Sequence, residues 1–96
     1  MELEWDEEKR QRTLNERGLD FADIVDFDFV TGHTTRDSRF EYGETRNVTV
    51  GYLHDRLCVL CWTLREGHFR VISLRKANDR EKRNYVAETG HDTASD

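Results

Sequence analysis

Three extended runs joined by two very short links constrain this chain most. Arg46–Leu53, Arg56–Leu64 and Phe69–Leu74 are rich in β-branched, aromatic and aliphatic residues, and the joins fall at His54-Asp55 and Glu66-Gly67. Joins this short are hairpins, so the three strands run antiparallel. The middle run is continuously apolar from Leu57 to Trp62. A strand of that kind is covered on both faces, which calls for further segments above and below the sheet. In the last run, strict alternation sets Phe69, Val71 and Ser73 on one side and Arg70, Ile72 and Leu74 on the other.

The remaining elements follow from local signals. Leu3 and Trp5 alternate with Glu2 and Glu4, the pattern of a short edge strand. Asp6 caps a helix with an acidic first turn that runs to about Arg17 and closes at Gly18. Asp20 caps a second helix with Phe21, Ile24, Val25 and Phe27 on its apolar stripe. Residues 28–35 read as a further extended segment and Asp37–Gly43 as a loop. Asn78-Asp79-Arg80-Glu81 has the form of a capping box and opens a last helix through about Ala87. The expectation is one α+β domain over residues 1–88, a small antiparallel sheet with two N-terminal helices and a C-terminal helix. The polar residues 89–96 are expected as a disordered tail. Trp5, Phe21, Ile24, Val50, Val59, Trp62 and Ile72 are the expected core, while Phe27, Phe29 and Phe40 are candidates for a partner-binding face.

With 96 residues, 35% hydrophobic and 36% charged, the core is modest; a chain this short buries roughly 60–65% of its unfolded surface. No apolar run approaches the ~20 residues needed to cross a bilayer, and the acidic start lacks the basic region of a signal peptide. A cytoplasmic protein is expected. Cys58 and Cys61 form a C-x-x-C within a strand, where residues three apart point to opposite faces, roughly 10 Å from each other. Ordinary core thiols are the plainer reading. The four histidines are scattered, and no metal or cofactor is expected. The net charge of −5 speaks against a general nucleic-acid binder, yet residues 65–83 carry seven Lys/Arg against three Asp/Glu. A local basic stretch of this kind can face a polyanion.

Three sequence words carry a resemblance. The first is Trp5-Asp6-Glu7-Glu8-Lys9 leading to Arg17-Gly18-Leu19-Asp20-Phe21. The second is Asp37-Ser38-Arg39-Phe40-Glu41-Tyr42-Gly43-Glu44-Thr45-Arg46, followed by Gly51. The third is Arg70-Val71-Ile72-Ser73-Leu74-Arg75-Lys76-Ala77, with Arg80-Glu81 and Tyr85 after it. In this order and spacing the chain resembles the BrnT family of toxins, within the RelE-like superfamily. A Lys-His pair found in many members is Glu16-Arg17 here, and no role is carried over to it. The resemblance implies a RelE-like fold, RNA cleavage that inhibits translation, and neutralisation by a BrnA-like antitoxin. In such pairs the antitoxin carries the DNA-binding domain, so operator DNA is reached only through it.

RNA cleavage by 2′-hydroxyl attack needs a base, positive charge at the developing phosphorane and an acid for the departing 5′-oxygen. Arginine suits the second task, because its planar fork meets two phosphate oxygens at once. The candidate catalytic residues are Arg75 as phosphate clamp, then Arg70 and Arg46, with Glu44 as base and Tyr85 as proton donor or stacking ring. Lys76, Arg80 and Lys9 are candidate RNA contacts. A fully extended chain would separate Arg70 and Arg75 onto opposite faces, about 16 Å apart. A salt bridge is the plainer reading of Arg70 and of the Arg46–Glu44 couple, and ring packing that of Tyr85. Two other functions compete with the ribonuclease: a non-catalytic RelE-fold binding module or corepressor, and a gyrase-type inhibitor. A DNA-binding repressor in its own right has no helix-turn-helix to support it.

Overall fold

The two short joins become the two turns from which β3, β4 and β5 pair. The structure, a computed structural model, describes residues 2–37 and 44–91. Its elements are β1 (Leu3–Glu4), α1 (Glu7–Arg17), a 3₁₀ helix (Phe21–Asp26), β2 (His33–Asp37), β3 (Arg46–Leu53), β4 (Arg56–Arg65), β5 (His68–Lys76) and α2 (Asp79–Thr89). At the first turn Leu53 pairs with Arg56, and at the second Arg65 pairs with His68. Glu66 and Gly67 both have positive φ, 52° and 81°, as the primed turns of tight hairpins require. The strands lie in the order β1-β5-β4-β3-β2. Every pairing is antiparallel except that of β1 with β5.

Both faces of β4 are covered, which explains its unbroken apolar run. On the back face, Cys58, Leu60, Val71, Leu74 and Leu53 pack beneath Leu19, Phe21, Ile24 and Phe27. On the front face, Leu57, Val59 and Ala77 pack beneath Tyr85 of α2, with Val48, Val50 and Tyr52 alongside. Phe27 is seated directly over Gly51, where a Cβ would stand 2.9 Å from the Phe27 ring. That contact is why a glycine lies in the middle of β3. The helix α1 buries no side chain completely. It runs along the outer edge of β5, and Arg17 donates from Nη1 to the Leu74 carbonyl at 2.9 Å.

The sequence expectations need three corrections. The second N-terminal helix is a single short 3₁₀ segment, not an α-helix. Its buried anchors are Phe21, Ile24 and Phe27, spaced three apart, while Val25 is 76% exposed. Three-residue spacing aligns side chains in a 3₁₀ helix and drifts around an α-helix. In β5, Val71 and Leu74 share the back-face core, so the strict alternation fails. A register shift opposite Cys61 and Trp62 leaves Ile72 as an extra residue, the signature of a β-bulge. Finally, α2 continues through Thr89, whose Oγ1 donates to the Tyr85 carbonyl, and is closed by Gly90 in the left-handed conformation. Residues 89 and 90 of the expected tail thus end and cap α2, and residues 92–96 lie outside the described residues, as do residues 38–43 with Phe40. No described helix is long and apolar enough to cross a membrane.

Candidate functional site

Counting outward from the two turns places charged side chains in one row across the front face. Asp37 of β2 is opposite Arg46 of β3, Thr63 of β4 is opposite Arg70 of β5, and Arg70 is opposite Glu4 of β1. The β3–β4 register pairs Asn47 with Trp62, which sets Arg46 beside Thr63; Thr63 donates from Oγ1 to the Thr45 carbonyl at 2.6 Å. The row thus reads Asp37, Arg46, Thr63, Arg70, Glu4. Neighbouring strands are about 4.8 Å apart, so Arg46 and Arg70 rise roughly 10 Å from each other with only the small Thr63 between them. One step further out, Arg65 and His68 face each other on the same side of the sheet.

Each basic side chain in this group meets a carboxylate. Arg70 Nη1 lies 3.5 Å from Glu4 Oε1. Glu44 bridges two arginines, with Arg65 donating from Nη2 at 2.5 Å and Arg46 Nε lying 3.7 Å away. His68 stands between Glu4 at 3.2 Å and Glu2 at 3.5 Å. The hydrogen bond from Arg65, and secondarily Arg46, holds the Glu44 carboxyl below its usual range. The His68 ring and then Arg70 do the same for Glu4. A carboxyl held low accepts a proton poorly, so Glu44 in this state is an ion-pair anchor first. The half-buried Cys61 sits among these charges. Burial pushes its thiol up, while Arg46 and Lys9 oppose and Asp37 and Glu44 reinforce that shift. Cys58 lies buried on the other face, and both thiols are free, as the strand geometry required.

The bulge carries Arg75 onto the same face as Arg70, without the turn that an extended chain would need. Arg75 is opposite Val59 and Arg70 opposite Thr63, a separation of about 13 Å along the strand. Arg75 is engaged at the start of α2, where Nη1 and Nη2 each donate to Glu81 at 2.7 Å. Tyr85 is 2% exposed and donates its hydroxyl to the Thr31 carbonyl at 3.0 Å. Its ring meets Tyr52 edge-on, with centroids 6.0 Å apart. Lys76 is exposed beside Cys58 of the opposite face, and Arg80 is exposed in the first turn of α2. The structure brings together Arg46, Arg70, Glu44 and, near the rim, Lys9; it leaves Arg75, Tyr85, Lys76 and Arg80 apart from them.

Sequence reasoning missed Thr63, Arg65 and His68. The signal was present: two-residue turns at 54–55 and 66–67 fix the partners nearest the second turn and all those along β3 and β4, and that arithmetic alone aligns Arg46, Thr63 and Arg70. Among the described residues no three His, Cys, Asp or Glu side chains are grouped to hold a metal ion.

Residues 5–81 match the family model described as the ribonuclease toxin, BrnT, of type II toxin-antitoxin systems. The chain belongs to the BrnT family. No curated protein matches it. The matched span contains Arg46, Thr63, Arg65, Arg70, Arg75 and Glu81, so the arginine row lies within the family's own domain. Membership also implies a protein antitoxin as partner.

Proposed function

We propose that the Arg46–Thr63–Arg70 row receives the scissile phosphate of RNA. Two guanidiniums about 10 Å apart at their origins flank the small, buried Thr63. A phosphate above Thr63 is within reach of both, and their donors oppose the charge that builds on a pentacoordinate phosphorus. Lys9 and Arg65 at the rim then take the flanking phosphates. When the phosphate draws Arg46 and Arg65 from Glu44, that carboxylate loses the contacts holding it low and becomes a better base for the 2′-hydroxyl. The reaction runs on side chains, without metal or cofactor, and halts translation in the cytoplasm. A BrnA-like antitoxin with its own DNA-binding domain neutralises it. The observation that carries this reading is the arginine row itself.

One feature favours a non-catalytic relative, whether a binding module, a corepressor or a gyrase-type inhibitor: every arginine of the row already meets a carboxylate. Expression of the chain alone separates the two. The proposal expects growth arrest with loss of message, relieved by Arg46→Ala or Arg70→Ala. Arrest with intact RNA and damaged DNA supports the gyrase-type reading, and a folded protein without effect supports the silent module.

A further inference from the structure

The back face carries an apolar cavity that the proposed chemistry does not use. Leu3, Ile24, Val25, Phe29 and Phe69 line it, with a volume of about 200 Å³. Around it, Val25 is 76% exposed, Leu64 53% and Phe29 40%. Leu64 is the cross-strand partner of Phe69, which continues the patch over β4 and β5. The aromatic floor is firm: Phe69 stacks on Trp62 with centroids 4.6 Å apart, and Phe29 meets both rings edge-on. An exposed apolar cluster built on rigid aromatics is a protein-binding feature rather than a solvated surface.

The charges around it indicate what fits. Residues 20–28 contain Asp20, Asp23, Asp26 and Asp28 and no Lys or Arg. Asp26, next in the chain to Val25, is 59% exposed and lies 3.2 Å from His54. A polyanion is repelled here, and a segment pairing an apolar side chain with Lys or Arg is attracted. The cavity admits one large aliphatic or aromatic side chain.

We infer that this cavity is the anchor point of the antitoxin, which inserts an apolar side chain between Val25, Phe29 and Phe69 and sets flanking basic residues against Asp23 and Asp26. The inference rests on the toxin–antitoxin reading. It adds that the partner's anchor lies on the face opposite the arginine row, so that holding the toxin and occluding its RNA face are separate tasks.

The test is calorimetric titration of the antitoxin, the co-expressed product of the toxin's own operon, into the full chain and three variants. Val25→Asp and Phe29→Ser each weaken binding by at least about 30-fold while circular dichroism and RNA cleavage stay as in the parent. Val25→Lys weakens it further than Val25→Asp, because it repels a basic partner. Unchanged affinity in all three variants overturns the inference, as does loss of affinity only on Arg46→Ala or Arg70→Ala, which would put the anchor on the front face. Light scattering that shows the parent to be a dimer and Val25→Asp a monomer would assign the cavity to a second copy and also overturn it. If the chain proves unable to cleave RNA while Val25→Asp still loses the antitoxin, the ribonuclease reading fails and the anchor stands.

Discussion

Replacing Arg75 by alanine tests whether this residue serves the fold or the chemistry. Its guanidinium meets Glu81 through two hydrogen bonds of 2.7 Å, the bidentate geometry of strong charge-assisted pairs. The two side chains are 43% and 23% exposed, so solvent screens the attraction. A pair of this exposure and geometry contributes about 1 kcal/mol, the upper end of the range for accessible pairs. Glu81 keeps its second task in the variant, because its Oε1 also accepts the Asn78 backbone N–H at 2.9 Å and closes the capping box. The helix α2 therefore stays capped, and only the tie between β5 and α2 is lost. For a domain of this size about 1 kcal/mol lowers the melting temperature by roughly 4–8 °C. Calorimetric melting and single-turnover RNA cleavage on the same preparation give both readouts, with cleavage expected to stay within about 3-fold. A melting temperature unchanged within a degree, together with a hundredfold loss of cleavage, would refute the structural assignment and restore Arg75 as a phosphate clamp.

Tyr85→Phe keeps the buried ring and leaves the Thr31 carbonyl without its donor; it costs about 1 kcal/mol in urea unfolding and leaves cleavage unchanged, whereas a proton donor would lose about 10²-fold or more. Gly51→Ala introduces a Cβ 2.9 Å from the Phe27 ring and 3.0 Å from the Asp28 carbonyl, and urea titration should show about 1–3 kcal/mol of destabilisation from this overpacking. Acid weakens the fold through Asp20, held below 3.8 chiefly by Arg10, and Glu81, held below 4.5 chiefly by Arg75. Both carboxyls are more acidic folded than unfolded, so their stabilisation is complete above those ordinary values and is lost as pH falls through the lower folded ones. The urea midpoint should therefore hold between pH 7 and 5 and drop below about 4.5, with a shallower drop in Arg75→Ala.

How far the sequence foretold this molecule depends on which periodicity ruled each segment. The hairpins were legible because His54-Asp55 and Glu66-Gly67 are too short for anything else, and the Asp6 cap of α1 and the capping box of α2 were legible because their donors and acceptors are local. The 3₁₀ segment was misread because Phe21, Ile24 and Val25 satisfy an α-helical stripe, while the core selected Phe21, Ile24 and Phe27. The bulge at Ile72 was invisible to period-two reasoning, and with it the side of the sheet that Arg75 occupies. Tyr85 looked available for chemistry only because burial against Tyr52 and Thr31 depends on residues 33 and 54 positions away in the chain. The pairing of Arg46 with Glu44 was foreseen, whereas Arg65 joining them depended on the register of two strands.

A double-mutant cycle on single-turnover cleavage, comparing Arg46→Ala, Arg70→Ala and the pair, probes most directly whether the two guanidiniums act on one phosphate. Each single variant should cleave about 10²–10³-fold more slowly, with melting close to the parent's, and the double variant should be little slower than either alone because the two act as a unit. Losses that simply multiply, or variants that cleave like the parent, would contradict a shared phosphate above Thr63.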